Sequence, residues 1–240
     1  QDLFATQTPE YAGQLTLAGP RGSLDRYDTA HPLYRHIAQL GALRAANPGL
    51  TDGAQVMRYA APDRGLVAFS RVDRSTGVEY LVALNSSDQE ASADVPAFGA
   101  PAFDAIYGGG AQLQPDAAGS VRVQVPPMST RVWRATRPVP EPDSLAVVLT
   151  APSDGAAIGG RAMFNAYVEG GGYAEVTFSV RPVGARDWTV VGTDDAPPYR
   201  VFHDVTAYPV GTLLEWQAVA STRGGRQAHA GASALVAGGD

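Results

Sequence analysis

Chemistry in this chain has to come from aromatic rings and carboxylates, because the residue types for other chemistries are missing or wrongly spaced. No cysteine occurs in the 240 residues, so there is no disulfide framework, thiolate metal site or cysteine nucleophile. His31, His36, His203 and His229 include no pair at i, i+4 and show no metal-ligand spacing. Asp194-Asp195 and the Asp25–Asp28 pair carry the oxygen ligands that calcium takes, yet no loop spaces its carboxylates as an EF-hand does. Gly108-Gly109-Gly110 and Gly170-Gly171-Gly172 are turn material, since neither leads a helix as a phosphate loop must. What remains is a set of aromatic rings with polar neighbours, which could contact a ligand where they are exposed.

The rings that could serve are Tyr107, Trp133, Tyr173, Trp188, Tyr199 and Trp216. Trp216 shares a strand face with Leu214 and Ala218, which assigns it to a core. Trp188 leads into Val190 and is assigned to a core as well, because sandwiches commonly bury a Trp. Trp133 lies on the same face as Arg131 and is either exposed or covered by the one helix. Tyr173 follows three glycines and Tyr199 follows Pro197-Pro198, so these two are expected to be the most exposed. The candidate ligand-contacting rings are Tyr173, Tyr199, Trp133 and Tyr107.

The elements that must position these rings are mostly strands. The segment from Gly65 to Asn85, GLVAFSRVDRSTGVEYLVALN, holds two strand-favouring runs, 66–72 and 78–84, joined by a polar turn ending in Gly77. Val67 and Phe69 pair with Tyr80, Val82 and Leu84 as the expected apolar face, which leaves Glu79 on the other. Period-two patterning predicts further strands at 55–61, 91–96, 102–107, 119–125 and 129–135. A second set is predicted at 146–150, 161–168, 173–181, 187–193, 199–205, 213–220 and 227–235. Seven short strands in this second stretch match the rhythm of an immunoglobulin-like sandwich. Between the sets, TRPVPEPDS at 136–144 carries three prolines and reads as a semi-rigid spacer.

One helix is predicted, from Pro32 to Asn47, where Leu33, Ile37, Leu40 and Arg44 recur at three and four with Leu43 widening the stripe. Thr29 or Asp28 is its expected cap, and Asn47-Pro48-Gly49 stops it. The first 31 residues read as a long loop with apolar groups that need partners.

Composition bounds the function class. A hydrophobic share of 45% suits a packed globule, and a net charge of −6 argues against a nucleic-acid surface, which needs clustered positive charge. All 18 basic residues are Arg, which matches a GC-rich coding bias. No apolar run is long enough to span a bilayer and no signal peptide opens the chain. The start on Gln1-Asp2 without Met suggests a processed or cut piece of a longer polypeptide.

Three stretches then combine. QDLFATQTPEY at 1–11, HPLYRHIAQLGALRAANPGL at 31–50 and the hairpin at 65–85 together resemble the tail of an α-amylase-type (family 13) glycoside hydrolase. In that family a (β/α)8 barrel ends in a loop and helix, and a small antiparallel domain C follows. The later stretches PSDGAAI at 152–158 and DWTVVGTDDAPPYRVFHDV at 187–205 are similar to immunoglobulin-like modules appended to secreted bacterial amylases. The resemblance implies a mainly β fold of two antiparallel β-sandwich domains preceded by a loop and one α-helix left over from the barrel. The expected division is 1–54 for the end of the barrel, 55–138 for domain C, 139–145 for the linker and 146–240 for the immunoglobulin-like module.

The resemblance also defines what is missing. The family's retaining chemistry needs two carboxyls about 5–5.5 Å apart across the scissile bond, carried on earlier barrel strands. No residue here is assigned a catalytic role, and the chain alone is expected to be inert. His203-Asp204 and Arg71-Val72-Asp73 superficially resemble pieces of the family's motifs, but both read as ordinary strand-end residues. Gln1 and Asp2 would border the active-site rim in the parent. No cofactor is expected, with calcium left to the parent enzyme. The implied partner is an α-glucan or other polysaccharide met through the parent, with no nucleic acid, a monomeric state and a secreted location. The alternative reading is a stand-alone pair of glycan-binding or adhesion modules with no enzymatic parent.

Overall fold

A computed structural model describes residues 15–16, 19–20, 29–99 and 102–238. By packing, the chain divides once, into Gln1–Asn47 and Pro48–Asp240. The smaller unit contains two two-residue strands, β1 (Leu15–Thr16) and β2 (Gly19–Pro20), paired antiparallel. It also contains helix α1, Pro32–Ala46. Its N-cap is His31, whose imidazole accepts from the Leu33 N–H at 3.2 Å, in place of the expected Thr29 or Asp28. Pro32 occupies the first turn, where a missing N–H costs nothing. The apolar stripe expected to lie under cover is exposed, with Leu33 at 60% and Ile37 at 61%. Only Leu40 and Leu43 are half-buried.

The larger unit opens with a four-residue helix, α2 (Gly49–Asp52), and continues entirely in strands. The first group comprises β3 (Ala54–Ala60), β4 (Leu66–Val72), β5 (Val78–Asn85), β6 (Ala91–Pro96), β7 (Phe103–Tyr107), β8 (Ser120–Val125) and β9 (Ser129–Pro138). Five of them form an antiparallel sheet in the order β3-β4-β5-β9-β7, and β6-β8 is a separate two-stranded sheet. Val95, Phe103, Val121, Val123, Val125 and Trp133 fill the core together with Leu66, Ala68, Leu81 and Ala83.

The hairpin β4–β5 turns the opposite way from the sequence expectation. Leu66, Ala68, Ser70 and Val72 face the core, as do Glu79, Leu81, Ala83 and Asn85. Val67 and Phe69, opposite Leu84 and Val82, lie on the outer face. Both faces of β4 and β5 are largely apolar, so alternation alone could not choose between them.

The buried Glu79 is accounted for by local geometry. Met57 pairs with Phe69 and Tyr59 with Ala68, so Arg58 is the extra residue of a β-bulge. That bulge aims its guanidinium at the Glu79 carboxylate, 3.1 Å away. Glu79 also accepts from the Ser70 hydroxyl and, at 2.9 Å, from the Phe98 N–H. Burial lowers the Arg58 pKa from its ordinary value, against the opposing pull of Glu79.

The second group comprises β10 (Ala146–Ala151), β11 (Ala156–Ile158), β12 (Arg161–Glu169), β13 (Glu175–Pro182), β14 (Thr189–Asp194), β15 (Tyr199–Asp204), β16 (Leu213–Ser221) and β17 (Gln227–Val236). Two sheets face each other, β10-β12-β15 and β11-β17-β16-β13-β14. The three-residue β11, absent from the sequence expectation, pairs parallel to β17. Phe164 and Trp216 meet edge-to-face at 5.0 Å in a core shared with Val176, Phe178, Val180 and Leu214. The fold is mainly β, with antiparallel sandwich packing as the sequence indicated.

The Pro-rich stretch between the groups is not a free spacer. Strand β9 runs on to Pro138, opposite Val78, and the Val139 N–H donates to the Gly77 carbonyl at 2.8 Å. Val139 is buried with Ala54, Val72 and Tyr173, and Phe98 packs against them. A third, small core thus joins the two sandwiches.

Candidate functional site

The rings proposed for sugar contact are mostly inside. Trp133 is 1% exposed, and its Nε1–H donates to the Ala111 carbonyl at 3.1 Å. Tyr173 is buried with its ring edge-to-face on Phe98, and its hydroxyl donates to Glu175 at 2.9 Å. Tyr199 is buried too, donating to the Ala174 carbonyl at 3.1 Å. The expected exposure of Tyr173 and Tyr199 is therefore corrected. Tyr173 lies in the small core between the two sandwiches and Tyr199 in the core of the second, and this packing outweighs the turn residues before them. Tyr107, at the end of β7, is half-buried. Gln1 and Asp2 lie outside the described residues. The structure does not gather these side chains into one site.

What it gathers around Tyr173 and Tyr199 is a polar junction. Arg74, in the β4–β5 turn of the first sandwich, pairs with Glu175 at 3.0 Å and with Asp195, both from the second. Burial depresses the Arg74 pKa, but its bond to Asp195 outweighs this and raises it above the ordinary value. Burial pushes the Tyr173 phenol well up, helped by its bond to Glu175, and pushes Tyr199 up to about 12, helped by Asp194 and Asp195. These phenols stay protonated in any ordinary buffer. Fixed donors clamped between ion pairs serve cohesion rather than turnover.

The motif-like pairs are similarly occupied. Burial raises the Asp73 pKa, but hydrogen bonds from Thr76 and Ser75 outweigh it and hold the carboxyl below its ordinary range. Those bonds, at 2.9 Å from each N–H and 2.7 Å from the Ser75 hydroxyl, shape the hairpin turn. Arg71 donates to the Thr51 carbonyl at 2.8 Å. Asp204 accepts from the Thr206 hydroxyl and N–H at 2.7 and 3.0 Å, while His203 lies 3.3 Å from the Tyr208 hydroxyl. Among the described residues, no group of three His, Asp or Glu is arranged to hold a metal ion.

Two depressions stand out on the sandwich faces. One, of about 300 Å³, is lined by Gln112, Gln114, Gln124, Arg122 and Arg131 beside Trp133. Its amides are already used: Gln112 donates to Asp104 and Gln114 to Gln112, each at 2.6 Å, and Gln124 to Glu90 at 2.5 Å.

The other, of about 380 Å³, lies on the outer face of the second sandwich. Register explains its composition. Arg181 pairs with Glu215 and Glu215 with Ser233; Ser179 pairs with Gln217 and Gln217 with Gly231. The inward residues of these strands, Val180, Leu214 and Trp216, belong to the core, so their neighbours face out.

Trp188 lines this depression, which corrects its assignment to the core. Val190, on which that assignment relied, is 63% exposed, because the register of β14 sets it opposite Ser179, on the same sheet face as Gln217. The Arg181 guanidinium stacks 4.4 Å from the Trp188 ring centroid and binds Glu215 at 2.6 Å. Such a cation–π contact is worth about 0.5–1 kcal/mol at a partly exposed site and fixes the ring's orientation. Asp154 accepts from the Ser233 N–H and hydroxyl, both at 2.8 Å, which holds its carboxyl below the ordinary range. Gly231 leaves open space on the floor, where an added Cβ would meet only the Trp216 carbonyl at 3.5 Å. The exposure of Val190 was the missing signal for this site, and it cannot be read from residue types.

Comparison with known proteins finds a likeness to part of one curated protein. No established family pattern matches it. Over 235 residues, 95% of its length, it is 40% identical to an alpha-amylase of Streptomyces lividans, of which it spans 25%. Among solved structures, an Anoxybacillus alpha-amylase superposes with a TM-score of 0.41 at 17% identity, covering 51% of this chain and 26% of that one. The FN1–FN3 domains of chicken CNTN1 give a TM-score of 0.33 at 12% identity, covering 77% of this chain and 66% of that one. At such scores neither superposition defines the fold; the sequence identity is what shows that the chain is similar to a segment of an α-amylase.

Proposed function

We propose, from this similarity to a segment of an α-amylase, that the chain is the non-catalytic C-terminal part of a secreted glycoside hydrolase acting on α-glucans. The observation that carries the reading is 40% identity sustained over 95% of the chain. On this reading the catalytic carboxylates belong to another part of the parent, and the two sandwiches serve as structural and substrate-tethering appendages. Tethering raises the local concentration of substrate without adding to the chemistry.

Two features of the chain support this. Glu79, Glu175, Asp195 and Glu215 are each paired with an arginine, which suits cohesion and not proton transfer. The outer strip of Met57, Phe69, Val82 and Leu84 gives the first sandwich an apolar face on which a parent barrel could rest, with Met57 58% exposed.

The direct test is hydrolysis of soluble starch by the 240-residue chain. No turnover is expected; turnover abolished by Asp204→Asn would overturn the non-catalytic reading. Retarded migration in a starch or glycogen gel is expected if the chain tethers substrate, and unretarded migration would leave a purely structural role.

A further inference from the structure

We propose that the depression beside Trp188, on the outer face of the second sandwich, is a binding site for a neutral saccharide ring. The α-glucan identity of that saccharide rests on the function proposed above; the site itself does not.

The chemistry of the walls selects the ligand by elimination. The Arg181 guanidinium is committed to Glu215, to the Trp188 ring and, at 3.4 Å, to the Arg186 carbonyl, so it offers no free charge to an anion. Glu215 is neutralised by the same contact, and Asp154 is a single carboxylate held by two donors of Ser233, with no set of three ligand groups around it to hold a metal ion among the described residues. What is left is a carboxamide and an imidazole. Gln217 is half-buried, and neither its side chain nor that of His229 has a hydrogen-bond partner among the described residues. A half-buried amide with donor and acceptor both unspent, beside an oriented indole, matches a ligand that is flat and apolar on one side and rich in hydroxyls at its rim. A pyranose has that form.

The setting also suits recognition. Every wall except Trp188, Asp154 and their short connections stands on a hydrogen-bonded strand, and sites on strands hold their geometry better than sites on loops. A volume of about 380 Å³ lies within the usual span of small-molecule sites, roughly 300–1,000 Å³. Gly231 is what keeps it open. The depression beside Trp133 lacks both assets, since that ring is buried and its neighbouring amides are satisfied.

The test uses tryptophan fluorescence of the full 240-residue chain. Of its three tryptophans, Trp133 and Trp216 are each 1% exposed, so a ligand-induced change reports on Trp188. Maltoheptaose, cellohexaose and xylohexaose are titrated in parallel. Saturable quenching by maltoheptaose is expected, lost by about tenfold or more in apparent affinity in Gln217→Ala, as for a central contact of a binding site. Trp188→Ala removes the signal, and calorimetric titration of that variant should show the same loss. Gly231→Val should block the floor while leaving the fold intact, because the added side chain has room and suits a strand. Saturable quenching by cellohexaose or xylohexaose alone, abolished by Gly231→Val, would uphold the site and overturn the α-glucan reading. No saturable change with any of the three, or a change that survives Gly231→Val, would overturn the site.

Discussion

The two sandwiches solve the same packing problem by different means. The second encloses a mainly apolar core and carries the Arg181–Glu215 pair on its outer sheet face. The first buries charge: Glu79 is fully enclosed and held by Arg58, Ser70 and the Phe98 amide. Asn85, at the far end of the same strand, is buried too, donating to the Val125 carbonyl at 3.0 Å and accepting from the Ser87 amide at 2.9 Å. The apolar residues that an all-hydrophobic core would have used appear instead on its outer face, at Val67, Phe69, Val82 and Leu84. The first sandwich thus carries apolar groups on both sides of its sheet, and the second also turns apolar groups outward, at Val148, Met163, Tyr167 and Phe202 of its three-stranded sheet.

The largest expected break in that contrast comes from Glu79→Ala. It strands the Arg58 guanidinium, whose side chain is 10% exposed, and should destabilise the first sandwich by about 3–5 kcal/mol in chemical denaturation. Replacing both partners, Arg58→Met with Glu79→Leu, should recover most of that loss. If Glu79→Ala alone is neutral, the buried pair does not distinguish the two cores.

A smaller effect separates the two buried tryptophans. The Trp133 indole N–H is bonded to Ala111, whereas the buried Trp216 N–H has no partner. Trp133→Phe should therefore cost about 1 kcal/mol more than Trp216→Phe, the worth of one hydrogen bond. Equal costs would show that the two cores treat the same side chain alike.

Arg74→Ala removes the clamp between the sandwiches. With the Arg74 side chain 49% exposed, the loss should stay within about 1 kcal/mol. Its signature is a wider separation between the two melting steps in calorimetry, and an unchanged profile would place the cohesion in the apolar contacts of Val139 and Tyr173.

The smallest effect belongs to His203 in the second sandwich. Burial holds its pKa below the ordinary 6.5, with Asp204 opposing. Below pH 6.5 the unfolded chain takes up the proton more readily, so this contribution to stability is present above 6.5 and declines as the pH falls through the lowered value. A series of melting temperatures from neutral to mildly acidic pH should fall less steeply in His203→Asn than in the parent.

These contrasts also mark what residue order discloses. Period-two alternation located nearly every strand, and Pro32 with Asn47-Pro48-Gly49 framed the helix, because those signals are local. The inward face of β4–β5 was not legible, since Leu66/Ala68 and Val67/Phe69 are equally apolar and the choice is made by Arg58 reaching Glu79 across the sheet. Tyr173 and Tyr199 were misplaced for a related reason: glycines and prolines describe the turn before each ring, not the core that closes over it, between the sandwiches for Tyr173 and within the second for Tyr199. Trp188 was misjudged because a tryptophan beside a strand is ordinarily core, and only the bulged register that sets Val190 opposite Ser179 puts this end of the hairpin on the outer face.

Gly77 has a practical consequence for anyone who wishes to recombine these parts. It adopts φ +71°, and an added Cβ would stand 2.6 Å from Nε of Arg223 on the far sandwich. The same residue's carbonyl receives the Val139 amide. The hairpin tip is thus a keyway cut to the outline of its neighbour, and the seam between the halves runs through it and not through the prolines alone. A graft spliced at residues 139–145 would carry off one half of the fitting; a transplant meant to hold its angle must bring the 73–77 turn along.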